Sequence, residues 1–322
     1  MTGGRGARLL ILHQHPPENV AALEEAIAGR AQLRAVREGA PFEIAQADVL
    51  LTHPAAMRQV GPTTPRPPDW PGRLRWVHFG QTGIDRMPGW LLEPELVTVS
   101  RGAQAEAIAE YVVLMALTHE KRLPQILARK PEDWDQPPLG GLTGRTIGLL
   151  GFGEIGRAVA ARMAPFGVRL IAHRRGGTAT GMAQVEAVSF DDLLAASDHL
   201  VICAPLTTET RGMIDARAMD RMRPGVHVIN VARGSIIDQD ALRTALDGGR
   251  IGMASLDVAT PEPPPDGHWL YHHPRVRLTG HLSHSGPMTR RRGQEILISN
   301  LKAFLGGRPE TMHGLVSREA GY

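Results

Sequence analysis

The chain has 322 residues, a length of about two domains at roughly 150 residues each. Its 42% apolar and 21% charged residues exclude a disordered polymer, and 36 glycines and 25 prolines at scattered positions exclude a collagen-like repeat. Lys and Arg number 36 against 33 Asp and Glu, a net +3 with the two signs interleaved, which excludes the basic stripe of a nucleic-acid-binding face.

In chain order, residues 9–12 form a first apolar strand, too short for the hydrophobic region of a signal peptide. No later stretch approaches the roughly 18 apolar residues of a membrane span, so a cytoplasmic protein with no membrane partner is expected. Residues 18–30 place Val20, Leu23, Ala26 and Ile27 at helical spacing, and residues 49–51, 76–79 and 97–99 read as strands. The proline-rich residues 61–71 read as a surface loop. Gly80, Gln81, Thr82 and Gly83 follow the third strand as a glycine-flanked loop whose N–H groups can cradle an anion; an ordinary tight turn is the plainer reading. Residues 103–122 repeat Ile108, Tyr111, Val112 and Met115 at three- and four-residue steps, a long helix, and residues 131–144 break the regularity.

A second series starts at Thr146, with strands at 146–150, 169–172, 199–202, 226–230 and 255–257. The prolines of 261–265 interrupt it, residues 276–279 are strand-like, and 296–304 form a last amphipathic helix. Strands alternating with helices throughout predict an α/β chain of two doubly wound parallel-sheet domains.

Residues 146–175 carry the most informative pattern, a strand running into Gly151, Phe152, Gly153, Glu154, Ile155 and Gly156, then a helix through Met163, then a second strand. In a dinucleotide site Gly151 permits the tight turn, Gly153 lets the backbone approach a pyrophosphate, and Gly156 lets helix and strand pack closely. The helix N-terminus offers the phosphates unpaired N–H groups and the positive end of its dipole. An NAD site places Asp or Glu at the end of the second strand for the ribose 2′-hydroxyl. Here stand His173, Arg174 and Arg175, with no acid until Glu186. Guanidinium forks suit a 2′-phosphate, so NADP(H) is expected in preference to NAD(H), which stays the alternative. Cys203 is the lone cysteine, which excludes an intrachain disulfide and a cysteine metal cluster.

Six further segments carry a family resemblance: H-F-G-Q-T-G-I-D at 78–85, A-Q-A-E-A-I-A-E-Y at 103–111, A-P-L-T-T-E-T at 204–210, V-I-N-V-A-R-G-S-I-I-D at 228–238, L-D-V-A-T-P-E-P at 256–263 and L-T-G-H-L-S at 278–283. With the glycine loop they resemble the D-2-hydroxyacid dehydrogenase family, of the glyoxylate/hydroxypyruvate reductase type. The resemblance implies a Rossmann cofactor domain at 102–288 and a flavodoxin-like substrate domain at 1–101 and 289–322, with the active site in the cleft between them. It implies a homodimer and a small 2-oxo or 2-hydroxy acid as substrate.

The resemblance also puts Arg233, Glu262 and His281 at catalytic positions. Reducing a 2-oxo acid needs a proton on the carbonyl oxygen, which an imidazole at His281 can supply. A carboxylate at Glu262 beside it favours the imidazolium. Arg233 can pair with the substrate carboxylate and polarise the carbonyl. Similar proteins hold that carboxylate with the loop of Gly80, Gln81, Thr82 and Gly83. Cys203, Ala204, Pro205, Thr210, Val231 and Ala232 fall along the cofactor, with Asp257 at its nicotinamide carboxamide. Three positions depart from the family pattern: Gly280 where proline is common, His284 where tryptophan is, and Tyr111 where histidine is frequent. No metal is expected, because the H-x-x-H of His281 and His284 has no third ligand at a convincing interval. The rival readings are a phosphoglycerate-type dehydrogenase, although the extra C-terminal regulatory domain of many such enzymes is not seen, and a dinucleotide-sensing protein on the same fold.

Overall fold

The structure, a computed structural model, describes residues 8–36, 46–123, 125–135, 138–176 and 180–317. In chain order its elements are β1 (Leu9–His13), α1 (Pro17–Ile27), β2 (Ala31–Ala35), β3 (Val49–Leu51), β4 (Trp76–Phe79), β5 (Leu96–Val99) and α2 (Ala105–Glu120). There follow β6 (Thr146–Leu150), α3 (Glu154–Met163), β7 (Arg169–His173), β8 (Val185–Ala187), α4 (Phe190–Ala196), β9 (His199–Ile202) and α5 (Ala216–Arg221). The last are β10 (Val226–Asn230), α6 (Gln239–Asp247), β11 (Ile251–Leu256), β12 (Val276–Leu278) and α7 (Pro287–Leu305). The chain divides into two units, Met1–Ala103 with Pro287–Tyr322, and Gln104–Gly286.

Among the described residues, the first unit holds a five-stranded sheet of order β2-β1-β3-β4-β5, and every pairing is parallel. Its strands alternate between two cores. Leu12, Leu50, Val77 and Phe79 face Trp70 and Trp90 on one side. Ile11, Val49, Leu51 and Trp76 face Leu23 and Ile27 of α1 and Leu297, Leu301 and Phe304 of α7 on the other. Each such buried side chain contributes about 2 kcal/mol, so the two-faced burial explains the apolar runs of these strands. The C-terminal segment returns along β5, where Val99 N donates to Gly314 O and Val316 N to Val97 O.

The second unit holds a seven-stranded sheet of order β12-β11-β10-β9-β6-β7-β8, again parallel throughout. Helices α2 and α3 cover one face through Ile108, Val112, Met115, Val159 and Met163. Helices α4, α5 and α6 cover the other through Leu193, Met219, Leu242 and Leu246. The direction of winding reverses between β6 and β9, the place where such sheets leave a crevice at the strand ends. No helix among the described residues is long and apolar enough to cross a membrane.

Four elements differ from the sequence reading. Edge strands β2 and β8 bury little, and the polar Gln32, Arg34 and Glu186 interrupt them, so no apolar run announces them. Strand β11 starts at Ile251 rather than 255, because Gly252 is part of it: a Cβ there would stand 2.5 Å from Gly225 O. Helix α7 begins at Pro287 rather than 296, its first turns masked by the polar run Thr289–Arg292 after a proline suited to a helix start.

Candidate active site

The phosphate-cradle candidate follows β6. Gly151 takes φ +99°, and a Cβ there would stand 2.7 Å from Ala204 N, so only glycine lets the loop after β9 approach. A Cβ on Gly156 would stand 2.7 Å from Gly151 O, which ties helix to turn. Gly153, the N-cap of α3, faces open space. Buried Phe152 anchors the loop in the core with the Arg157 guanidinium 5.2 Å over its ring, while Glu154 is exposed and Ile155 half-buried in the first turn of α3. This is a cradle of fixed backbone with room for an anion above a helix N-terminus, and it fits a dinucleotide pyrophosphate.

The surrounding candidates have clear local roles. Cys203 donates its thiol to Gly151 O at 3.0 Å, and burial pushes that thiol up to about 12, so it braces the turn as an inert group. Ala204 is buried and Pro205 exposed. Thr210 closes their loop by donating to Pro205 O at 2.7 Å and accepting from Thr207 N at 2.8 Å. At the end of β7, His173 Nδ1 lies 3.2 Å from Val188 O, and Arg174 and Arg175 are exposed. Arg175 stands 3.6 Å from Glu209. The acid missing from the strand end in sequence therefore comes to this turn through space, on the loop after β9.

At the end of β10, fully buried Asn230 shapes the next turn: its Oδ1 accepts from Ala232 N at 3.0 Å and its Nδ2 donates to Arg233 O at 2.9 Å. Val231 and Ala232 are buried, and Arg233 donates from Nη1 to Ala232 O at 2.8 Å. A Cβ on Gly234 would overlap the Ala259 carbonyl group, so the Arg233 turn lies directly against the strand-end loop that leads to Glu262. His281 and Glu262, far apart in the chain, meet with Nδ1 and Oε1 2.5 Å apart. With Nδ1 given to the carboxylate, Nε2 is the nitrogen left for a substrate. A cavity of about 320 Å³ opens here, lined by Asp257, Glu262, Pro263, Tyr271, Gly280 and His281.

His281 sits at φ +57°, a left-handed conformation that costs a non-glycine residue about 1 kcal/mol and needs its surroundings to enforce it. Asp257 does so. Its carboxylate is buried, with Oδ1 accepting from Thr279 Oγ1 at 2.7 Å and Leu282 N at 2.9 Å, and Oδ2 from Ser283 N at 3.0 Å. The Thr279 hydrogen goes to Asp257, so the Tyr111 hydroxyl, 2.8 Å from Thr279 Oγ1, is the donor between them. Burial pushes the Tyr111 phenol up to about 12, which keeps that donor protonated. Thr279 and the partnership of Tyr111 were not legible in the sequence. His284 packs edge-on to His281 with centroids 5.6 Å apart, and desolvation followed by the neighbouring His281 pushes its imidazole below the ordinary range.

In the first unit, Gly80, Gln81, Thr82 and Gly83 follow β4. A Cβ on Gly80 would stand 2.6 Å from Pro54 Cδ, Gln81 reaches Met87 Sδ at 3.8 Å, and Thr82 donates to Ser100 O at 3.1 Å. Among the described residues, no group of three or more His, Cys, Asp or Glu side chains is placed to hold a metal ion.

Residues 113–283 match the model of the NAD binding domain of the D-isomer specific 2-hydroxyacid dehydrogenases. A glyoxylate reductase of Thermofilum pendens is 36% identical over 233 residues, 69% of this chain and 68% of that one. A D-3-phosphoglycerate dehydrogenase of Mycobacterium bovis is 29% identical over 306 residues, 93% of this chain, yet the chain spans only 57% of that relative's length. Among solved structures, a D-isomer specific 2-hydroxyacid dehydrogenase from Xanthobacter autotrophicus Py2, in complex with NADPH and MES, superposes with a TM-score of 0.79 at 25% identity, covering 98% of this chain and 100% of that one.

Proposed function

Because the chain belongs to the D-isomer specific 2-hydroxyacid dehydrogenase family, we propose that it interconverts a small 2-oxo acid, of the glyoxylate or hydroxypyruvate kind, and its D-2-hydroxy acid, with NADP(H) preferred to NAD(H). The observation that carries this reading is the 2.5 Å contact of His281 with Glu262, held at the rim of a cavity in the same unit as the glycine cradle. A dinucleotide-sensing protein has no need of such a proton donor.

The loop of Gly151, Gly153 and Gly156 with the N-terminus of α3 would hold the pyrophosphate. Arg174 and Arg175, both exposed at the end of β7, would hold the 2′-phosphate. Cys203, Ala204, Pro205, Thr210, Val231 and Ala232 would line the rest, with Asp257 near the nicotinamide end. When bound, the dinucleotide supplies a hydride to the carbonyl carbon or accepts one in the reverse direction. His281 gives the carbonyl oxygen its proton from Nε2, and Glu262 on Nδ1 orients the ring and stabilises its charged form. Arg233 pairs with the substrate carboxylate and offers a fixed positive charge where negative charge grows on the oxygen. The role we propose for residues 80–83 is to donate backbone N–H groups to that carboxylate. A homodimer completes the reading, on the strength of the family resemblance.

A panel of 2-oxo acids assayed with NADPH and NADH side by side tests this. Turnover of glyoxylate or hydroxypyruvate with a lower KM for NADPH supports it; no turnover of any 2-oxo acid overturns it. The mycobacterial relative, whose match spans 93% of this chain, favours a second reading, 3-phosphoglycerate oxidation, and including that substrate in the panel decides between the two.

A further inference from the structure

His173 closes β7 and touches the glycine cradle directly, since its carbonyl accepts from Gly151 N at 2.9 Å. It lies opposite Leu150, the last residue of β6. At this strand end a dinucleotide site places the Asp or Glu that accepts from a ribose 2′-hydroxyl. An imidazole stands here instead, and the fold fixes how it is presented.

Val188 does the fixing. Its N–H donates to Ala172 O at 3.0 Å, and its carbonyl lies 3.2 Å from His173 Nδ1. A carbonyl oxygen only accepts, so Nδ1 carries the hydrogen and the neutral ring keeps its lone pair on Nε2. Phe190, the first residue of α4, packs against the ring with centroids 5.7 Å apart and limits its rotation. The side chain is half-buried, and its Nε2 has no hydrogen-bond partner among the described residues.

The neutral ring therefore offers at Nε2 what a carboxylate would offer there, an acceptor, which suits a 2′-hydroxyl. Protonation turns the same atom into a charged N–H donor, which suits a 2′-phosphate. Imidazole is the side chain that ordinarily changes charge between about pH 5 and pH 8, so both forms are within reach. Aspartate or arginine at this place would hold one form only.

The charges on the surrounding elements leave that exchange open. Arg174 and Arg175 lie on the same turn, with Glu209 of the loop after β9 3.6 Å from Arg175. On β8, Glu186 holds Arg169 at 2.7 Å. On α4, Asp191 holds Arg221 at 2.7 Å and Asp192 accepts from Ser189. Glu154 and Arg157 of α3 lie past the cradle, Arg157 over the Phe152 ring. None of these carboxylates bonds the imidazole, whose hydrogen bond goes to Val188.

We propose that His173 selects between the two dinucleotides by its proton: neutral, Nε2 accepts from the 2′-hydroxyl of NAD(H), and protonated, it donates to the 2′-phosphate of NADP(H). Arg174 and Arg175 favour the phosphate at every pH, and His173 adds the part that varies. The assignment rests on reading the second unit as a nicotinamide dinucleotide site, whichever acid is reduced.

Calorimetric titration of the full chain with oxidised NAD and NADP, at about pH 8 and about pH 6, tests it. The ratio of affinities should move about tenfold towards NADP at the lower pH. A 2′-phosphate itself gains a proton near pH 6, which opposes that shift, so His173→Gln serves as the reference. Its amide cannot become charged, so its ratio should stay level or move towards NAD. NADP binding should also take up more protons in the wild type than in the variant. His173→Asn, whose amide nitrogen can keep the Val188 bond, replaces it should His173→Gln not fold. A wild-type ratio that stays put, or that moves equally in the variant, overturns the proposal and leaves the dinucleotide reading standing. Binding of neither dinucleotide at either pH overturns both. A ratio that shifts as expected in a protein that turns over no 2-oxo acid supports His173 as the selector and sinks only the proposed reaction.

Discussion

The two ends of the seven-stranded sheet each pair a histidine with a glutamate, and they do so in opposite ways. At the amino ends of β9 and β10, His199 Nε2 lies 3.2 Å from Glu120 Oε1, its Nδ1 lies 3.0 Å from His227 Nδ1, and His227 Nε2 lies 2.9 Å from Ser255 Oγ. His119 stacks on His227 at 4.5 Å, and Arg145 grips Glu120 from outside at 3.2 Å. The His199 and Glu120 side chains are 1% and 5% exposed. At the carboxyl ends, His281 and Glu262 are 35% and 26% exposed, and the carboxylate engages one ring nitrogen beside a cavity. Where every nitrogen is bonded and enclosed, a histidine fixes packing. Where one is kept at a cavity rim, it can move a proton.

Four experiments break or sharpen that contrast. His281→Ala should lower kcat by about 10³-fold while dinucleotide still binds, as steady-state kinetics and a fluorescence titration would show; near-normal turnover would break the contrast outright. Glu120→Ala should leave turnover per folded molecule intact but cost about 3 kcal/mol in urea denaturation, because it strands the buried histidine pair. A stability change within error would mean the enclosed network is not structural.

Acid should reveal the same network. Burial first, then His199, holds His119 down at about 4 and His227 well below the usual range, so the folded protein keeps both neutral. The unfolded chain binds those protons below about 6.5, so stability present at neutral pH is lost as pH falls from there towards 4. The lowered His15 and His78 act in the same direction. A urea midpoint independent of pH across that window would contradict the assignment. The smallest effect is expected from Tyr111→Phe, about threefold in kcat with KM for the dinucleotide unchanged, since it removes one neutral hydrogen bond from the chain that holds the His281 loop. Stability lost without any change in kcat would make Tyr111 a packing residue only.

Much of the fold could be read from the sequence, for a physical reason. Strands β3, β4, β6, β9 and β10 are buried on both faces, so apolar residues dominate each, and their bounds agree with the reading. Edge strands β2 and β8 bury little and left no such trace. The glycine cradle was legible because a backbone that must approach another backbone is written as Gly151 and Gly156 at fixed spacing. The meeting of Glu262 and His281 has no local signal and came only from resemblance to a family. The link from Tyr111 through Thr279 to Asp257 joins residues from three distant segments, and neither spacing nor resemblance pointed to it.

One feature of the fold bears on how the chain is made. It leaves the first unit after Ala103 and returns at Pro287, and the apolar face of α1 is covered by Leu297, Leu301 and Phe304 of α7. A chain synthesised from its amino end therefore finishes the second unit while Leu23, Ala26 and Ile27 still wait for their cover. The nascent intermediate has one completed sheet and one adhesive half, and its escape from aggregation depends on the emergence of α7.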